Sequence, residues 1–241
     1  VPKLINNILI TGGAKRIGKK ISEMISKLPY TKNLIIHYNN SHNEALELKT
    51  SLENKNTNIY LYKADFTKIE EIESLLKFIK ENFNQLNILI NNASLFQKTP
   101  LKQTDNNNDF LNYSNIHTAA PFLLSKFLIN SKSDKKIIIN MLDERRSSNK
   151  SICNYGEYFY YSMTKHMMFL MHQYLQKEFN QYNEIRIHGL IMSLILPNNT
   201  DIDFFKKNHI DEKISNTKIS KILRIIKKIL MNDLENKNFK I

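Results

Sequence analysis

Three of the five glycines in this 241-residue chain fall within one run of eight residues, TGGAKRIG, Thr11 to Gly18. The stretch before it, Asn6–Thr11 (NNILIT), is short and rich in β-branched residues, as a buried strand is, and helical spacing follows. The glycines therefore sit where a strand turns into a helix. Gly12 and Gly18 permit the tight turn and a close backbone approach, which leaves the helix N-terminus to receive an anion such as a dinucleotide pyrophosphate. A tight turn of this kind needs glycine in any case. It is the concentration of glycine in this strand-turn-helix context that predicts cofactor binding.

Further β-branched runs recur at Asn33–Tyr38, Asn58–Tyr62, Leu86–Asn91, Lys136–Met141 and Ile185–Ile191, with helical segments between them. Ser41 is placed to cap the segment carrying Ala45, Leu48 and Leu52, and Thr67 the one carrying Ile69, Ile72, Leu75 and Ile79. Strand and helix alternate along the whole chain. That order predicts an α/β fold, a doubly wound, Rossmann-like parallel sheet with helices on both faces, as a single domain over residues 1–241. Polar patches at Glu53–Thr57, Thr104–Asn108 and Asn198–Thr200 read as surface loops. Cys153 is the only cysteine, which excludes an internal disulfide and a cysteine-clustered zinc site and fits a reducing compartment, so a cytoplasmic address is expected. Leu4–Ile10 is too short and too polar for a signal-peptide core, and no run is apolar enough to span a membrane. The net charge of +12 could mean a polyanionic partner, but the lysines are scattered among many Asn and Ile. A solvated basic shell is the expectation, without nucleic acid as partner. Lys218–Asn232 (KISKILRIIKKILMN) is a basic amphipathic helix, read as packing on the sheet in preference to a membrane surface.

At the end of the second strand stands HYNNSH, His37 to His42, with no carboxylate to bind an adenosine ribose. A 2′-phosphate is not repelled there, and Arg16 with His37, Tyr38, Asn39, Asn40 and Ser41 can surround it, which favours NADPH over NAD. Lys15 and Lys19 are expected to face solvent. In YFYYSMTKHMM, Tyr158 to Met168, helical geometry puts Tyr161 beside Lys165, while Tyr158 and Tyr160 point elsewhere. An ammonium near a phenol lowers the phenol's pKa and makes it a usable proton donor.

TGGAKRIG, Ala64-Asp65, NNAS (Asn91–Ser94) and YSMTK (Tyr161–Lys165) follow in order the pattern of the short-chain dehydrogenases/reductases, which the chain resembles over nearly its whole length. The resemblance implies that Thr11, Gly12, Ile17 and Gly18 line the cofactor with Asn91, Ala93 and Ser94. It implies further that Asp65 contacts adenine, that Tyr161 is the acid, and that Lys165 also holds the nicotinamide ribose. Three departures from the general pattern resemble the pteridine reductase branch. Arg16 replaces the middle glycine, Asp143 in NMLD stands where a serine is usual, and Phe96 lies in NNASLFQKTPL, just past the fourth strand. In that branch the arginine contacts cofactor phosphate and substrate, an aromatic ring stacks on the pterin, and Asp and Tyr deliver the proton. Arg16, Ser94, Phe96, Asp143 and Tyr161 would then bind substrate. IHTAAPFLL (Ile116–Leu124) and SLIL (Ser193–Leu196) are similar to bacterial dihydromonapterin reductases, also described as alternative dihydrofolate reductases. The implied substrate is a dihydropterin of the dihydromonapterin, dihydrobiopterin or dihydrofolate type.

Each of these residues also has a plainer reading. Asp143 can cap its loop, although the C-terminal edge of a parallel sheet is where ligands bind. Phe96 can be core as well as a stacking platform. His117, where the family has a helix asparagine, can relay a proton or simply pack. The loop Glu144–Gly156 is longer than usual, and Met192-Ser193 opens a substrate flap expected over about 192–213. Met163, Met167, Met168, Leu170, Met171, Tyr174 and Leu175 give the helix at Tyr161–Phe179 more apolar surface than one stripe needs, which predicts a homodimer or tetramer. The rival functions are an ordinary carbonyl reductase, for instance of 3-oxoacyl substrates, and a non-catalytic nucleotide- or RNA-binding protein.

Overall fold

The computed structural model describes residues 5–53, 57–83, 85–102, 108–144, 158–193, 212–232 and 234–241. Seven strands, β1 (Ile5–Ile10), β2 (Thr31–Tyr38), β3 (Asn58–Lys63), β4 (Ile88–Asn91), β5 (Lys136–Asp143), β6 (Ile185–Met192) and β7 (Lys237–Lys240), form one sheet in the order β3-β2-β1-β4-β5-β6-β7. Every pairing is parallel. The helices are α1 (Arg16–Ser26), α2 (His42–Leu52), α3 (Ile69–Phe83), α4 (Asp109–Ser114), α5 (Ala120–Ile129), α6 (Phe159–Phe179) and α7 (Glu212–Asn232), with a π-helical turn, Asn115–Ala119, joining α4 to α5. This is the doubly wound parallel sheet that the strand-helix alternation predicts.

Side chains alternate across a strand, so each central strand feeds two cores. Ile8, Ile10, Ile88, Ile90, Ile137 and Ile139 face Ile21 and Ile25 of α1, Leu48 of α2 and Ile222, Ile226 and Ile229 of α7. Leu9, Ile35, Leu89, Ile138 and Ile187 face Ile72, Leu75 and Ile79 of α3 and Leu124 and Leu128 of α5. Burying each such side chain is worth about 1.5–3 kcal/mol, enough to fix which face of every strand looks which way. The apolar stripe of α7 is thus used up in the core, which decides its two readings in favour of packing on the sheet. Among the described residues, no helix is long and apolar enough to cross a membrane.

Asparagine, abundant in the sequence, takes a structural part at the start of the strands. Asn7, Asn33 and Asn58 are opposite one another in register, with Asn33 Nδ2 donating to Asn7 Oδ1 at 2.7 Å and Asn58 Nδ2 to Asn33 Oδ1 at 3.0 Å. The ladder holds only in this register, because a one-residue slip would send every second amide to the other face. Two expectations change. A seventh strand, β7, lies at the sheet edge, and Ser41 occupies the N-cap position of α2 but makes no capping side-chain bond. α6 begins at Phe159, two residues before Tyr161.

Candidate active site

The strand order reverses between β1 and β4, and the crevice outside their C-terminal ends is where ligands bind in sheets of this kind. Thr11 fastens the two strands together. Its hydroxyl accepts from the backbone N–H groups of Asn92 and Ala93, each at 2.9 Å, and donates to Ile90 O at 3.3 Å. Asn92 returns the clasp, its Nδ2 donating to Thr11 O at 2.9 Å and to Gly12 O at 3.0 Å. Gly12 has φ +62°, and a Cβ on Gly18 would lie 2.1 Å from Gly12 O, so both positions require glycine. Arg16 adopts φ 53°, left-handed backbone that a non-glycine residue rarely holds, and the strain falls at the turn into α1. The first turn of α1 has neither a side-chain cap nor an acidic residue, so the positive end of the helix dipole is left to an anion.

The residues expected around an adenosine phosphate divide into two groups. His37 does not face the crevice. Its ring is buried and stacked on Phe66 at 3.8 Å; its Nδ1 accepts from Gly12 N at 3.1 Å, and its Nε2 donates to Ala64 O at 2.9 Å. Burial lowers its pKa to about 4, so it is a neutral prop under the glycine loop. Tyr38 is also buried, its hydroxyl on His42 Nδ1 at 2.8 Å, whereas Asn40 is exposed, Asn39 half-buried and Ser41 buried. Asp65 spends its Oδ1 on the N–H and hydroxyl of Thr67, at 3.0 and 2.9 Å, a local turn ahead of α3. Lys15 is exposed as expected and pairs with Glu44 at 3.0 Å, while Lys19 is half-buried.

Farther along the same edge, Asp143 closes β5 and Tyr161 lies in the first turns of α6. The Tyr161 hydroxyl donates to Asp143 Oδ2 at 2.8 Å. The phenol's proton is thus directed at the carboxylate, and the two oxygens share one point at the sheet edge. Lys165, one turn on, is buried, its Nζ donating to Met141 O at 2.8 Å. Burial lowers its pKa to about 8, against the pull of the Asp143 carboxylate. Arg16 enters the same field. The residue is exposed as a whole, yet partial burial of its guanidinium lowers its pKa and the Tyr161 phenol opposes that shift.

Phe96 meets Tyr161 edge-on at 4.7 Å and stacks on Tyr158 at 4.4 Å and 12°. The expectation that Tyr158 points elsewhere is corrected here, since Tyr113, Tyr158 and Tyr161 form one buried cluster packed against Phe96, while Tyr160 is half-buried at its margin beside Phe110 and Phe159. Tyr158 is the N-cap of α6, with φ −119° and ψ 44°, so helical spacing does not govern its direction. It is fixed there by a bridge to Thr99.

His117, in the π-helical turn, has both ring nitrogens engaged. Nε2 accepts from Leu95 N at 3.3 Å and bonds Ser94 Oγ at 2.9 Å, so Nδ1 carries the proton and donates to Thr164 Oγ1 at 2.8 Å. Thr164 passes its own proton to Tyr160 O at 2.7 Å, a dead end for a relay. Burial, then the charge of Lys165, push His117 well below its ordinary pKa. Of its two readings, the geometry favours the strut, which ties the Ser94–Phe96 segment to the turn of α6 bearing Tyr161 and Lys165. Asn92, Tyr158 and Thr164 were not singled out from sequence. Asn92 lies within the NNAS run and Thr164 within YSMTK, which are usable signals; the place of Tyr158 follows only from the fold. The flap lies outside the described residues from position 194 to 211, and the long loop from 145 to 157.

The sequence profile of the family described as short chain dehydrogenase matches residues 6–207. A diacetyl reductase [(S)-acetoin forming] of Staphylococcus epidermidis is 35% identical over 95 residues, 39% of this chain and only 35% of the relative's own length. Among solved structures, FolM alternative dihydrofolate reductase 1 of Brucella canis, complexed with NADP, superposes with a TM-score of 0.76 at 19% identity, covering 99% of this chain and 93% of that one. A blue fluorescent protein from a metagenomic library, in complex with NADPH, superposes with a TM-score of 0.77 at 18% identity, covering 99% and 98%. At such identities the structural likeness is one of fold. Taken with the glycine turn, the NNAS clasp and the Tyr161–Lys165 turn, the match over residues 6–207 places this chain in the short-chain dehydrogenase family.

Proposed function

We propose that the protein is an NADPH-dependent reductase of a dihydropterin, of the dihydromonapterin, dihydrobiopterin or dihydrofolate type. The observation that carries this reading is the Tyr161–Asp143 hydrogen bond of 2.8 Å at the sheet edge, walled by the ring of Phe96. A ketone needs one proton on its oxygen, which a phenol alone supplies. A ring C=N needs a proton on nitrogen, and a carboxylate paired with a phenol suits a basic nitrogen as donor, acceptor and charge partner.

The chain fits the nucleotide. The glycine turn leaves the N-terminus of α1 open to the pyrophosphate, Asn39 and Asn40 after β2 would face the 2′-phosphate, and Asn91 Oδ1, buried and without a hydrogen-bond partner, lies at the end of β4. NADPH, when bound, supplies the hydride for the ring carbon. Tyr161 gives its proton to the neighbouring nitrogen, Asp143 accepts from the N–H so formed, and Lys165 stabilises the phenolate left behind until solvent restores the proton. Phe96 and Ser94 position the flat ring and Arg16 its polar edge.

The test is NADPH consumption with dihydromonapterin, dihydrobiopterin, dihydrofolate and a ketone panel that includes a 3-oxoacyl thioester. At least one dihydropterin is expected to turn over, and Tyr161→Phe to lose about 10²–10⁴-fold in rate with an unchanged thermal midpoint. Turnover of ketones alone would defeat the pterin assignment.

A further inference from the structure

We propose that His172 is a positioning residue for the reaction, fixing the axial placement of α6, and with it Tyr161 and Lys165, by hydrogen bonds to β5 and β7. Only the roles of Tyr161 and Lys165 in this inference rest on the function proposed above. One rung of the sheet runs Asn91, Asn140, Gly189, Asn238 across β4, β5, β6 and β7. The glycine leaves a gap in the row, and His172 of α6 fills it. A Cβ on Gly189 would lie 2.8 Å from His172 Nε2 and 2.6 Å from Asn238 Oδ1.

The direction of every bond in the row follows from the first. Asn91 Nδ2 donates to Asn140 Oδ1 at 2.8 Å, so the amide nitrogen of Asn140 is turned to His172, whose Nδ1 accepts at 3.0 Å. Nε2 therefore carries the proton and donates to Asn238 Oδ1 at 2.7 Å. Gln176, one turn on, donates to the same oxygen at 3.2 Å and to Ile187 O at 2.8 Å. Asn91, Asn140 and His172 are all buried. A protonated ring would point a second N–H at the Asn140 amide, which agrees with burial lowering the His172 pKa to about 4.

An apolar side chain at 172 would fill the volume, but apolar packing is non-directional and tolerates a small shift of the helix along the sheet. Hydrogen bonds to two strands do not allow that. His172 lies about two turns beyond Lys165, so its height sets theirs. β7 also reaches the other half of the site, since Lys240 pairs with Glu144, the residue after Asp143, at 2.5 Å. Phenol and carboxylate are referenced to the same strand.

Three variants separate placement from bulk stability. Asn238→Ala removes the acceptor, Gly189→Ala closes the gap, and Asn238→Asp keeps an acceptor in place. In protein carrying isotope-labelled tyrosine, the Tyr161 ring resonance, assigned by its loss in Tyr161→Phe, reports the phenol's surroundings without any substrate. Asn238→Ala and Gly189→Ala are expected to shift that resonance and to lower kcat about ten-fold with KM for NADPH within about two-fold, while Asn238→Asp retains both. An unmoved resonance in either alanine variant, folded by circular dichroism, overturns the inference. Should neither fold, Asn238→Asp decides: a displaced resonance despite the kept acceptor overturns it, and a wild-type one supports it. A wild type that reduces no dihydropterin would refute the function and leave the resonance comparison intact.

Discussion

Lys165 shows how one side chain ties activity and stability to pH with opposite signs. Its ammonium is buried against Met141 O, and its pKa is lowered from 10.5 to about 8. In the proposed reaction that charge stabilises the phenolate of Tyr161, so kcat/KM is expected to fall as pH rises through about 8. Stability moves the other way. Between about 8 and 10.5 the unfolded chain holds a proton on this lysine that the native chain has lost, so rising pH favours the native state through this group. A pH–rate profile run beside thermal midpoints checks both limbs, and a rate that stays flat to pH 10 would contradict the assignment. Lys165 and Tyr161 were readable from sequence because a four-residue helical spacing is a local relation. The Tyr161–Asp143 contact was legible only through the family resemblance, since residue spacing alone does not say how β5 and α6 pack. The inward turn of His37 was not readable, because a strand-end histidine can face either the crevice or the core and only the Gly12 and Ala64 backbone decides.

At the scale of elements, α6 presents two faces with different tasks. Met168, Phe169 and His172 are buried against the sheet, while Leu170 and Tyr174, one turn apart, are 39% and 74% exposed. Large apolar groups in a row on a helix mark a surface that meets a partner, and we expect a second copy of this chain there. Sedimentation should show a dimer or tetramer for the wild type, and Leu170→Glu should shift it toward monomer while leaving the fold intact; a monomeric wild type would remove this expectation. The excess of apolar residues on this helix was visible in the sequence, as was each buried strand with a continuous apolar centre. β7 was not. KNFK has a single apolar residue and lies at the edge, where pairing comes from the exposed flank of β6 and not from its own burial. The π-helical turn at Asn115–Ala119 was equally hidden, because its inserted residue leaves the local pattern helical.

For the whole molecule, His37, His117 and His172 matter together, since burial lowers the pKa of each and keeps it neutral. His37 and His172 are each lowered to about 4, and His117 lies well below its ordinary 6.5. From pH 6.5 down to about 4 the unfolded chain takes up protons on these rings that the native chain refuses, so stability is lost on acidification. His37 and His172 each contribute about 1.4 kcal/mol per pH unit across that window, and His117 adds in the same direction. Urea midpoints should therefore drop steeply between pH 7 and 4, and a level profile would mean that the rings are accessible. The strand order has a consequence for synthesis. β1 lies between β2 and β4, and Ile8 pairs with Ile88, so the central strand waits uncovered on one side until β4 has left the ribosome. Of the seven strands β7 emerges last, and nascent chains halted before it would carry Asp143 and Tyr161 without the edge that braces them.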